Sequence, residues 1–155
     1  MWSVVHTLSD SHIVTFVRDE LAGGMSVTLQ RAQNALSRVV TYTRRTEHIR
    51  PVLRNLHWLP ISYRIDFKVA TLAYKVHATG SPAYLQSDYT PSRDLRSSSL
   101  QFLATVQTRT AIARRAFSRA APSVWNNLPY NVRTAETFER FKSSIRTHFY
   151  SRAFC

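Results

Sequence analysis

The chain has 155 residues, 44% hydrophobic and 12% aromatic, enough for one core of ordinary size, so one folded domain is expected rather than wholesale disorder. Twenty-one basic residues against nine acidic give a charge of +12, and eighteen of the basic residues are arginine, whose planar fork suits phosphate; an anionic partner is favoured, the alternative being arginine-rich coding bias or mere solubility. The lone cysteine, Cys155, excludes an internal disulfide scaffold or a cysteine-rich zinc site and fits a reducing compartment, cytoplasmic or nuclear, while the absence of any apolar run of about 18 residues argues against a membrane span. Residues 1–17 lack the basic start and unbroken apolar centre of a secretory signal.

Helical spacing dominates the pattern. Leu29, Ala32, Leu36, Val39 and Val40 fall on one face of a helix over 29–42, with Arg31, Arg38, Gln33 and Asn34 elsewhere. Pro51 and Pro60 bracket a short segment, and Pro60 suits the first turn of the following helix, where its missing N–H costs nothing. That helix, 61–77, has the clearest stripe: Ile61, Ile65, Val69, Leu72, Ala73 and Val76, with a stop at Gly80-Ser81-Pro82. Residues 86–99, rich in Ser, Thr, Asp, Pro and Arg, read as an exposed linker.

Leu100 to Val106 reads as a short extended segment, too short for a helix of its own. Ala111 to Ala121 is competent for a helix ending at Pro122, and Ser123-Val124-Trp125-Asn126-Asn127-Leu128-Pro129 is expected to be a tight turn anchored by its aromatic ring. A last helix over 134–150 places Phe138, Phe141, Ile145 and Phe149 on one face, with Thr134 as N-cap. The expectation is a mainly α domain, a small bundle of three or more amphipathic helices with an exposed linker and a short extended segment. Its helical halves, 21–85 and 100–155, pack as one, and the apolar faces of 29–42, 61–77 and 134–150 meet in the core.

Catalytic patterns are missing. Template-directed polymerisation needs clustered carboxylates to hold magnesium, and the sequence has no Asp-Asp pair; Asp66 and Asp94 stand alone. His48 and His57 are nine residues apart with no further ligand at metal spacing, and Ser62, Ser118 and Ser123 lack a glycine-elbow context. The expectation is no enzyme, no metal, no cofactor and no small-molecule substrate. Trp58, between Leu56 and Leu59, and Trp125, between Val124 and Leu128, could stack on bases but are better suited to core pockets at helix junctions. Clustered arginines are the better site candidates: Arg114, Arg115 and Arg119, the last two one helical turn apart, and Arg44 with Arg45 at the end of the first helix. These would contact phosphates of RNA or single-stranded DNA, weakly and without sequence preference; for Arg44 and Arg45 a solvated role at a helix end is an equal alternative.

Several blocks, in this order, carry a resemblance. They are Leu29-Gln30-Arg31-Ala32-Gln33-Asn34-Ala35-Leu36-Ser37-Arg38-Val39-Val40, His48-Ile49-Arg50-Pro51-Val52-Leu53, Leu56-His57-Trp58-Leu59-Pro60-Ile61-Ser62-Tyr63-Arg64-Ile65-Asp66-Phe67-Lys68, Tyr89-Thr90-Pro91-Ser92-Arg93-Asp94-Leu95-Arg96-Ser97, Arg115-Ala116-Phe117-Ser118-Arg119-Ala120-Ala121-Pro122-Ser123-Val124-Trp125-Asn126-Asn127-Leu128-Pro129 and Thr137-Phe138-Glu139-Arg140-Phe141-Lys142-Ser143-Ser144-Ile145-Arg146-Thr147-His148. Together they resemble the segment that closes the reverse transcriptase of LINE-type non-LTR retrotransposons, beyond the fingers and palm, at the end of the thumb or after it. Residues 1–20 match none of it. The resemblance implies a non-catalytic part of an RNA-directed DNA polymerase that helps hold RNA or DNA; the rival readings are a retroelement remnant and a domesticated protein-interaction domain.

Overall fold

A computed structural model describes residues 26–80, 102–105, 107 and 117–155, and these are mainly helical, with no strand among them. The helices are α1 (Ser26–Thr41), α2 (Ile49–Asn55), α3 (Ile61–Thr79), α4 (Phe117–Asn126), α5 (Tyr130–Arg133) and α6 (Phe138–Phe154). The linker 86–99 lies outside the described residues.

Helix α3 is the axis of the bundle, with α4 and α6 packed along it, α1 across it and α2, and α5 against α6. Its predicted stripe is the buried one: Val69, Leu72, Ala73 and Val76 are in the core, joined by Ala70 and Tyr74. Gly80 ends the helix at φ 64°, a conformation open to glycine without a Cβ penalty, and its N–H donates to Val76 O at 3.0 Å. Pro60 is the residue just before the first helical turn, its carbonyl accepting from Arg64 N.

From α6 the core receives Phe141, Ile145 and Phe149. The Tyr74 ring stacks on Phe141 at 4.4 Å between centroids, Trp125 lies 5.8 Å from Phe141, and the Tyr74 hydroxyl donates to Ala135 O at 2.8 Å. Trp125 is wholly buried in the core, as expected, and Trp58 is half-buried against the edge of the same core rather than inside it.

Three expectations are corrected. The N-cap of α6 is Thr137, whose hydroxyl accepts from Arg140 N, whereas Thr134 ends α5 and its own hydroxyl donates to Tyr130 O. Pro122 does not end the preceding helix, and Trp125 lies within α4 rather than in a turn. An interior proline costs about 3 kcal/mol; here its ring is fully buried and the continued helix carries Trp125 into the core, which offsets that cost.

Helix α1 packs inside out, against the expectation that its apolar face joins the core. Gln33 is 8% exposed and Ser37 0%, while Leu36 and Val39 are 55% and 70% exposed. The reason lies in the chain between α2 and α3. Leu59 O and the first-turn donor Ile61 N have no helical partner, and a buried backbone group left unpaired is costly. Gln33 Nε2 donates to Leu59 O at 2.9 Å, Ile61 N donates to Gln30 Oε1 at 2.9 Å, and Gln30 Nε2 links to Asn34 at 2.8 Å. The amide face of α1 therefore serves as the cap that Pro60 cannot supply.

Candidate nucleic-acid interface

Of the five arginines that the sequence singles out, Arg114 and Arg115 lie outside the described residues. Arg119 projects from α4, half-buried, at a cleft of about 270 Å³ that Thr105, Ser123, Asn126 and Asn127 also line. Behind it, Asn126 pins the irregular stretch 102–105: its Oδ1 accepts from Leu103 N at 2.9 Å and its Nδ2 donates to Leu103 O at 3.0 Å, so one side-chain amide does what a neighbouring strand would do.

Arg44 and Arg45 are exposed in the loop between α1 and α2, beyond the last helical turn, where the basic residue is Arg38. Arg38 shapes this loop, donating through Nη1 to Arg44 O at 2.6 Å and through Nη2 to Glu47 O at 3.0 Å. The side chains of Arg44 and Arg45 stay in solvent, with no carboxylate partner among the described residues. They sit on a different element from Arg119.

Two other arginines are structural. Arg50 donates through Nε and Nη2 to Ala153 O, at 3.1 and 2.9 Å, at the C-terminal end of α6. Arg133 is buried with its guanidinium 4.2 Å from the Phe102 ring centroid, and burial holds its pKa below the usual arginine value. Arg54, Arg64, Arg140, Arg146 and Arg152 are exposed. The ion pair within α6 joins Lys142 to Glu139 at 3.3 Å. A surface with many guanidinium groups and few carboxylates concentrates polyanions near it.

A second cleft, of about 190 Å³, is lined by Asp66, Ser123, Asn127, Phe149 and Arg152. Both clefts are smaller than the roughly 300–1,000 Å³ of pockets that enclose a small ligand. Among the described residues no three His, Cys, Asp or Glu side chains are grouped as a metal site would need, and no helix is long and apolar enough to cross a membrane.

One pairing had no forewarning in the sequence: the exposed His57 ring, held at φ 54°, stacks on Tyr150 with centroids 5.6 Å apart. Left-handed backbone is usually signalled by glycine, and here a histidine occupies it. Compared with known proteins, the chain matches no family model, and neither a curated protein nor a solved structure matches it.

Proposed function

We propose that the chain is a non-catalytic nucleic-acid-binding module of the kind that closes a LINE-type reverse transcriptase, binding RNA or single-stranded DNA through arginine–phosphate contacts. The observation that carries this reading is the charge: +12, with eighteen arginines, and exposed guanidinium groups on the α1–α2 loop, α2, α3 and α6. Supporting it, blocks that resemble the family touch one another. The Gln30 and Gln33 amides meet Leu59 and Ile61, and Trp125 meets Phe141. The candidate contacts are Arg114, Arg115 and Arg119, with Arg44 and Arg45 as a second group. No polymerase step is assigned to the chain, which has no Asp-Asp pair to hold magnesium, and an intracellular location suits its single cysteine.

The test is salt-dependent binding of labelled RNA and DNA strands. Affinity should fall by about 0.7–0.9 log units per log unit of salt for each phosphate neutralised. Glutamine at Arg114, Arg115 and Arg119 should weaken binding and flatten the slope; unchanged affinity and slope would reject those three residues, and no binding by the wild type at low salt would reject the reading. A protein-interaction domain is the second reading, favoured by the outward apolar face of α1.

A further inference from the structure

We infer that His57 and Tyr150 form a stacking platform for an unpaired base of a single-stranded nucleic acid. The inference rests on the proposed nucleic-acid reading and adds to it a site made of other residues. The backbone at His57 is that of a helix C-terminus closed by paired reverse bonds: Trp58 N donates to Leu53 O at 2.9 Å and His57 N to Arg54 O at 3.0 Å. The residue at this position takes φ 54°, and glycine is its default occupant. The turn therefore needs no imidazole. Histidine gives up the ease that glycine would have here, and places an aromatic ring in solvent.

The ring is not loose. Tyr150 stacks under it with 17° between the planes, and the Tyr150 hydroxyl donates to Arg54 O at 2.8 Å, tying the lower ring to the same turn. Tyr150 in turn meets the buried Phe154 at 4.9 Å. One face of the imidazole is thus set by a rigid partner, and the residue as a whole remains exposed. An aromatic face fixed in this way can receive any base, because every base has a π-face. Exposed arginines flank the pair: Arg54 from the same turn, and Arg146 one helical turn before Tyr150 on α6. Helix α2 carries no carboxylate to repel a phosphate. Stacked ring, fixed support and flanking guanidinium groups are what a strand needs to lay down one base and its phosphates.

The test compares the full chain's binding to two fluorescent oligonucleotides of about 12 units, a length within the sites of known single-strand binders. One is deoxyadenosine with a single 2-aminopurine; the other is its abasic equivalent with the same number of phosphates. The wild type should prefer the base-bearing strand by about 5- to 150-fold, the range for one stacked base, and should quench 2-aminopurine. His57→Gly and His57→Asn both suit left-handed backbone, so the fold and the melting temperature should be kept. They should lose the preference and the quenching while keeping the salt slope. Variants that retain the wild-type preference and quenching would overturn the platform and leave arginine-driven binding intact. A wild type that binds neither strand at low salt would overturn both.

Discussion

Arg50 and Ala153 join the second helix of the fold to the end of its last: the guanidinium donates twice to one carbonyl, at 3.1 and 2.9 Å, where the helix dipole of α6 is negative. Removing it leaves that carbonyl to water and takes away one tie between α2 and α6, while the Tyr150–Arg54 hydrogen bond and the buried Leu53 still hold the helix. Arg50→Ala should cost about 1 kcal/mol, the usual worth of a partly exposed bond of this kind. Urea denaturation measures it, and a change indistinguishable from zero would show that the contact is not maintained in solution.

The inverted packing of α1 reverses the usual ranking of substitutions. Gln33→Ala should be the harmful change, because Leu59 O loses its buried donor at a cost of about 1–3 kcal/mol. Leu36→Ala and Val39→Ala, on the exposed face, should stay within about 0.5 kcal/mol of the wild type. Thermal melts of the three variants decide it; a larger loss for leucine than for glutamine would mean that α1 buries its apolar face after all.

Trp125 sits at the centre of the aromatic cluster, 5.8 Å from Phe141 and 6.4 Å from Tyr74. Its replacement by alanine leaves a cavity that the surrounding rings cannot close, and should cost about 3–5 kcal/mol. Circular dichroism during denaturation would reveal it, and a mild effect would place the ring outside the core.

His148 gives the fold a pH dependence of definite sign. Burial first, and the Arg152 charge second, hold its pKa below the ordinary 6.5. Its Nε2 is buried with no hydrogen-bond partner among the described residues. The unfolded chain therefore takes up this proton more readily than the folded one. The stability contribution is full above 6.5, falls as pH drops through that value, and levels off below the folded-state pKa. His148→Gln should lose less stability than the wild type between about pH 7.5 and pH 5.5; parallel melting curves for the two proteins across that interval would reject the assignment.

Sequence spacing made α3 and α6 readable because in each the apolar stripe and the buried stripe coincide. Val69, Leu72 and Val76, and likewise Phe141, Ile145 and Phe149, recur at the helical period and face the core. It misled for α1, where periodicity shows which face is apolar but not which face is buried. That choice was made by Leu59 O and Ile61 N, two backbone groups whose need for partners arises only once α2 and α3 are folded. Pro122 misled for a related reason, since only the finished core shows how much a continued helix gains by burying Trp125. Clustered arginines announced a basic surface, yet spacing alone could not separate Arg38 and Arg50, which hold loops and helix ends, from Arg44 and Arg45, which face solvent.

Because α1 is held by side-chain amides rather than by leucines, its release would add little apolar surface to water. Heat capacity and denaturant sensitivity both scale with the surface newly exposed. Undocking of α1 is therefore an opening with a shallower denaturant dependence than global unfolding, which must break apart the rings around Trp125. Amide hydrogen exchange followed against urea should separate the two: the α1 amides would exchange through a shallower, low-energy limb, while those of α3 would follow the steep one.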